Sequence, residues 1–127
     1  MAADLGGVNA ITDRIIGSAY KVMQSLGHGF VEKVYENALA VELKTAGLHA
    51  EQQRRFSVQY AGTVVGEFSV DLLVEELVVV ELKAVSMLDR VHRAQCLNYL
   101  RASGLQVCLL LNFGTPDLQI KRVVNGL

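Results

Sequence analysis

The hydrophobic period of this chain changes twice, and those changes limit what it can fold into. Val8, Ile11, Ile15, Ala19, Val22 and Leu26 recur at three- and four-residue steps, which predicts an amphipathic helix over 8–26. Gly27 and Gly29 in "LGHGF" end it. A second helix follows, with Val31, Val34, Tyr35, Ala38 and Leu39 on one face and Gly47 as its stop. From residue 51 the period becomes two. Phe56, Val58 and Tyr60 alternate with Arg55, Ser57 and Gln59, as in a half-exposed strand. "YAGT" reads as a turn, "VVGEFSVDLLV" (64–74) as a second strand and "LVVVELKAV" (77–85) as a third, buried one. Helical spacing returns from Leu88 to Arg101, with Gly104 as the stop, and two further strands run through "LQVCLLLNF" and "LQIKRVV". The order is ααβββαββ. Short turns make the first three strands an antiparallel meander, and the crossover helix brings the fourth into the same sheet in parallel. The expected class is α/β, a mixed β-sheet flanked by helices.

A chain of 127 residues, 51% apolar and 20% charged, fits a single domain over 1–127 with no disordered tail. The net charge of −1 excludes bulk attraction to a polyanion or a membrane, so a nucleic-acid partner must be held by a local patch. Arg54, Arg55, Arg90, Arg93, Arg101, Lys121 and Arg122 are candidates for phosphate contacts, against the plainer reading of a solvated surface. "MAADLGGVNAITDR" lacks the basic and apolar regions of a signal peptide, and "VCLLL" is too short to span a membrane. Cys96 and Cys108, the only cysteines, fall in apolar elements. A reduced, cytoplasmic protein is expected, without a zinc ribbon or an iron–sulfur cluster. No glycine-rich nucleotide loop is present.

Glu81 and Lys83 interrupt the third strand. They lie two residues apart, hence on one side of it and roughly 6–7 Å from each other. An unpaired buried ion costs several kcal/mol, so the two need compensation. Asp71 interrupts the preceding strand in the same way. If the connecting loop has an odd length, for instance residues 75–77, Asp71 falls across from Glu81. A two-residue loop at Glu75-Glu76 pairs Asp71 with Val80 instead, so a shared site requires the odd loop or a β-bulge. Two carboxylates about 5 Å apart stay ionised together only beside a cation. Mg²⁺ suits one or two carboxylates plus waters, and a lysine beside it could orient or deprotonate a water or stabilise a negative transition state. The plain alternative is a structural ion pair of Lys83 with Asp71 or Glu81.

These residues resemble a known pattern. D-x₉-E-x-K behind an apolar run is similar to the core signature of the PD-(D/E)XK nuclease superfamily. "GFVEKVY", Gly29 to Tyr35, matches the G-x-x-E-x-x-Y motif that names the GxxExxY protein family within it. "QCLNY", Gln95 to Tyr99, resembles the Q-x-x-x-Y motif of RecB-type nucleases. The matches keep their order from about residue 8 to 124, although Val70 stands where the superfamily's name has proline. The resemblance implies a restriction-endonuclease-like fold with an αβββαβ core. It also implies roles: Asp71 and Glu81 as metal ligands with the carbonyl of Leu82, Glu32 completing the metal site, and Lys83 as catalytic lysine. Gln95 and Tyr99 would position the scissile phosphate or brace Lys83.

Plainer readings stand beside these. Glu32, in a first helical turn, also suits the helix dipole. Tyr35 reads as core packing with a hydroxyl hydrogen bond before it reads as a supporting site residue. His92, Gln95 and Tyr99 share one helical stripe, which contacts substrate if it faces Glu81 and Lys83 and is a solvated face otherwise. His28 and His49 fall in turns. The expected function is a Mg²⁺- or Mn²⁺-dependent nuclease acting on DNA, with specificity supplied by a protein partner or by a second subunit of a homodimer. The alternative is a non-catalytic nucleic-acid- or protein-binding module on the same fold.

Overall fold

The computed structural model describes residues 5–126. Helices α1 (Leu5–Leu26) and α2 (Glu32–Thr45) precede strands β1 (Ala50–Tyr60), β2 (Thr63–Val74) and β3 (Val78–Lys83). Helix α3 (Arg90–Ser103) and strands β4 (Val107–Asn112) and β5 (Gln119–Val124) complete the chain. The element order is the expected ααβββαββ. The five strands lie in sequence order in one sheet. β1, β2 and β3 pair antiparallel, β3 and β4 parallel, and β4 and β5 antiparallel.

Strand alternation divides the core in two. Leu72, Val74, Val78, Val80, Leu82, Leu109 and Leu111 face α1 and α2, where Ile15, Ala19, Leu39 and Leu43 cover them. Leu73, Val79, Cys108 and Leu110 face Cys96 and Leu100 of α3. The central strands are thus buried on both faces, which explains their near-continuous apolar runs. Both cysteines are free and buried. Among the described residues no helix is long and apolar enough to cross a membrane.

Three local expectations need correction. Val31 is the N-cap of α2 and largely exposed; the buried stripe is Tyr35, Glu36, Leu39 and Leu43. Leu77 lies in the turn before β3, and that strand ends at Lys83 rather than at residue 85. The alternation in β1 does not bury Tyr60, which is 75% exposed. β3 pairs with β2 only from Leu72 to Val74, so the outer part of the β1–β2 hairpin has no sheet beside it on that edge.

Candidate active site

The register across the sheet decides which charges meet. Val74 pairs with Val78, Leu73 with Val79 and Leu72 with Val80. The connection is therefore the odd, three-residue loop 75–77, and the next row sets Asp71 opposite Glu81. Glu75 and Glu76 turn the chain at φ +54° and +56°, and the Leu77 amide closes the turn on the Val74 carbonyl at 3.0 Å. Left-handed backbone costs an ordinary residue about 1–2 kcal/mol. Neighbouring bonds offset that cost here. The Glu75 amide donates to the His49 carbonyl at 2.8 Å, its carboxylate accepts from the His49 amide at 2.6 Å, and Glu76 accepts from Arg54 at 3.0 Å.

At the Asp71–Glu81 row, side chains take the place of the backbone ladder. The Asp71 amide donates to Glu81 Oε2 at 2.8 Å, and the Leu82 amide donates to Asp71 Oδ2 at 2.8 Å. Each carboxylate is thereby fixed by an amide of the other strand. The β1 side is interrupted at the same row. Gln52 pairs with Leu72 and Arg54 with Val70, but Gln53 turns away from the ladder at φ +53°. Its Nε2 donates to Asp71 Oδ1 at 3.2 Å and to Glu36 Oε1 at 2.8 Å.

Lys83 is on the same strand face as Glu81 and makes no ion pair among the described residues. Its Nζ donates to Gln95 Oε1 of α3 at 3.3 Å. The structural ion pair that the sequence left open is therefore not formed. Glu32 opens α2 in its first turn, as expected, and is exposed. Its electrostatic neighbours are Lys83, Asp71, Glu36 and the Ala84 amide.

Tyr35 is fully buried. Its hydroxyl donates to the Gly27 carbonyl at 2.6 Å and accepts from the Phe30 amide at 3.1 Å, and its ring stacks on Phe113 at 4.6 Å. It braces the 27–30 connection ahead of Glu32, where Gly29 adopts φ +113°, a conformation that favours glycine. Two ends of the G-x-x-E-x-x-Y segment thus set the entry to α2. His92 caps α3: its Nδ1 accepts from the Asp89 amide at 3.1 Å while Asp89 Oδ1 accepts from Val91 and His92 amides. Tyr99 stacks on Phe68 at 4.4 Å, and burial, with Glu81 and Asp71 nearby, pushes its hydroxyl up to about 12.

The electrostatics of the site are those of crowded carboxylates. Burial, with Asp71 beside it, pushes Glu81 up to about 8, opposed by the Asp71 amide. Asp71 is raised by burial, against the Leu82 amide and Gln53. Glu32, though exposed, is raised by partial desolvation, with Lys83 opposing and Asp71 and Glu36 adding. Three carboxylates thus share the field of Lys83, a set that a divalent cation would balance. Their ligand atoms do not all gather within 4.8 Å; Asp71 and Glu81, locked together across the strands, are the pair that could share such an ion. Among the described residues the trio that does gather within 4.8 Å is His49, Glu51 and Glu76. There Arg54 already bridges both glutamates, at 3.2 and 3.0 Å, and offsets part of their charge.

Three further residues matter that the sequence reading did not single out. Glu36 is a buried acid held by Lys33 at 3.0 Å, Gln52 at 2.8 Å and Gln53 at 2.8 Å. It lies on the buried stripe of α2, and a charge there is a signal only once that stripe is placed at Tyr35, Leu39 and Leu43. Gln53 left none, since its left-handed backbone is not written in residue type. Asn112 is fully buried and satisfied on every side. Its Oδ1 accepts from Val85 and Gly114 amides, each at 3.0 Å, and its Nδ2 donates to the Val85 carbonyl at 2.9 Å and Gln119 Oε1 at 2.8 Å. It pins the segment that leaves β3 directly after Lys83.

Comparison with known proteins bears on this geometry. A family model described as the PD-(D/E)XK nuclease superfamily matches residues 9–123. Among curated proteins none matches. A solved structure, "Crystal structure of SSO0001", superposes with a TM-score of 0.61 at 16% identity, over 75% of this chain and 51% of that one. The chain thus spans about half the length of that structure, and the likeness is one of fold, the restriction-endonuclease-like α/β arrangement.

Proposed function

Because the chain belongs to the PD-(D/E)XK nuclease superfamily, we propose that it is a Mg²⁺- or Mn²⁺-dependent nuclease that hydrolyses phosphodiester bonds in DNA. The observation that carries this reading is the Asp71–Glu81 row, with Lys83 on the same face and in no ion pair among the described residues. Asp71, Glu81 and the carbonyl of Leu82 would hold the cation, with Glu32 at its open side. Once bound, the cation would supply Lewis acidity, lowering the pKa of water and neutralising phosphate oxygens.

The remaining work falls to the protein. Amides of the opposite strands keep Asp71 and Glu81 in place, so little reorganisation accompanies the reaction. Lys83, steadied by Gln95, presents an ammonium to the attacking water or to the charge that develops on the phosphate. Tyr99 and His92 brace α3 and thereby Gln95, and Tyr35 braces the entry to Glu32. The "GFVEKVY" segment supports kinship with the GxxExxY family. The small core supports specificity borrowed from a protein partner or a second subunit.

Cleavage of labelled duplex and single-stranded DNA, in Mn²⁺ and in chelator, tests the proposal. Wild type should cut only with metal, and Lys83→Ala or Asp71→Asn should lose about a hundredfold or more in rate. Undiminished cutting in chelator or in Asp71→Asn would overturn it. DNA binding that is equal with and without metal, and never followed by cleavage, would make the chain a binding module.

A further inference from the structure

The basic residues of this chain divide into two kinds once folded. Arg54 is held by Glu51 and Glu76, Arg55 by Glu67 at 3.0 Å, and Arg122 by Asn9. The charges of Arg54 and Arg55 are spent within the protein; the Asn9 oxygen orients Arg122 without neutralising it, on the face of β5 opposite to Lys121. Arg90, Arg93 and Lys121 are exposed and make no ion pair or side-chain hydrogen bond among the described residues. These three line a single groove of about 340 Å³ between the start of α3 and β5, above Leu88 and Leu110. The one acid in the lining is Asp89, whose carboxylate is turned to the α3 amides that it caps.

The register ties this groove to the carboxylates. Glu81 pairs with Leu110, and Leu110 pairs with Lys121, so all three side chains share the α3 face of the sheet. Two strand spacings, roughly 10 Å, separate Glu81 from Lys121. A nucleic-acid strand carries one charge per about 3.4 Å of axis, so that distance covers about three phosphates. Arg90 and Arg93, one helical turn apart, flank the same path. We propose that Arg90, Arg93 and Lys121 form a phosphate track that holds the DNA backbone beside the Asp71–Glu81–Lys83 site. The choice of DNA rests on the nuclease reading of that site.

The test is DNA binding by the full chain in chelator, where cleavage does not interfere, measured by anisotropy of a labelled duplex across a salt series. The Arg90→Gln/Arg93→Gln/Lys121→Gln variant should reduce the slope of log affinity against log salt by about 2.7, or 0.9 per phosphate contact. Between about 50 and 200 mM salt, wild type should then lose roughly fortyfold more affinity than the variant. Lys121→Gln alone should reduce the slope by about 0.9, and Arg55→Gln should leave it unchanged. An unchanged slope in the folded triple variant would overturn the track, even if Mn²⁺-dependent cleavage is intact. A reduced slope in a protein that never cleaves would uphold the track and overturn only the nuclease reading.

Discussion

At φ +53°, Gln53 holds a backbone conformation that costs a residue with a Cβ about 1–2 kcal/mol. What it secures is an amide that reaches Glu36 and Asp71 together, and strain retained in this way marks a positioning residue. Two substitutions separate the cost from the benefit. Gln53→Ala keeps the strain and loses the bridge, whereas Gln53→Gly loses both. The glycine variant should therefore be the more stable of the two by about 1 kcal/mol in chemical denaturation, while both bind Mn²⁺ more weakly than wild type. Equal stability would mean that the turn carries no strain. Glu81 makes a second residue-scale prediction. Its folded pKa of about 8 lies above the ordinary 4.5, so between these values the folded protein keeps a proton that the unfolded chain releases. Metal-free stability should thus fall as pH rises from about 4.5 to about 8 and level off above that. Bound Mn²⁺ must displace this proton, so affinity should climb over the same range, with proton release seen by calorimetry in buffers of different ionisation enthalpy. A pH-independent affinity between 6 and 8 would place the metal elsewhere. The acids of the D-x₉-E-x-K pattern were legible because they break apolar runs. Glu36 breaks no such run, and it came onto the buried stripe only once the face of α2 was corrected from Val31 and Val34 to Tyr35, Leu39 and Leu43.

At the scale of elements, the element order, the antiparallel meander of β1 to β3 and the parallel sense of β4 could be read in advance because period and burial are properties of residue type; the pairing of β5 could not. Nor could the register. It depends on whether Leu77 belongs to β3 or to the turn, and Leu77 is as apolar as the valines after it; the left-handed pair Glu75-Glu76 and its bonds to His49 and Arg54 settle the matter. The segment leaving β3 was equally opaque, since its anchor is a long-range one. Asn112 grips Val85, and Gly114 packs against the same stretch so closely that an added Cβ would lie 2.3 Å from both Val85 N and Val85 O. Backbone atoms cannot yield as a side-chain tip can. Gly114→Ala should therefore destabilise the protein by about 1–3 kcal/mol in thermal or urea unfolding. Because the displaced stretch begins one residue after Lys83, the loss of cleavage should exceed what the unfolded fraction explains. Wild-type stability in this variant would show that the 84–89 segment moves freely, and the account of how Lys83 is held would fail.

Across the whole molecule, strand pairing is unevenly distributed, and the change comes at the site. β1 and β2 pair along their full length, but β2 meets β3 only through Leu72, Leu73 and Val74. Everything beyond the Gln53–Asp71 row is a two-stranded ribbon, a structure of marginal stability by itself. Near its root Val70 is buried against the α3-side core and Arg54 reaches Glu76 at 3.0 Å; farther out an aromatic stack ties it to the body, Phe56 on Phe68 at 5.5 Å and Phe68 on Tyr99 of α3 at 4.4 Å. Each such pair contributes about 0.5–1.5 kcal/mol. Phe68 belongs to both, so Phe68→Leu should remove about 1–3 kcal/mol of local restraint while preserving apolar bulk. Hydrogen exchange would then accelerate by about ten- to a hundredfold for amides of residues 55–68, with Val78 to Leu82 exchanging as in wild type. Uniform acceleration, strand β3 included, would mean that the stack is part of the global core and that the ribbon has no independent motion. If the acceleration is confined to the ribbon, its root at Asp71 is the boundary between a mobile arm and a rigid sheet. Metal bound there should reduce exchange at the root first.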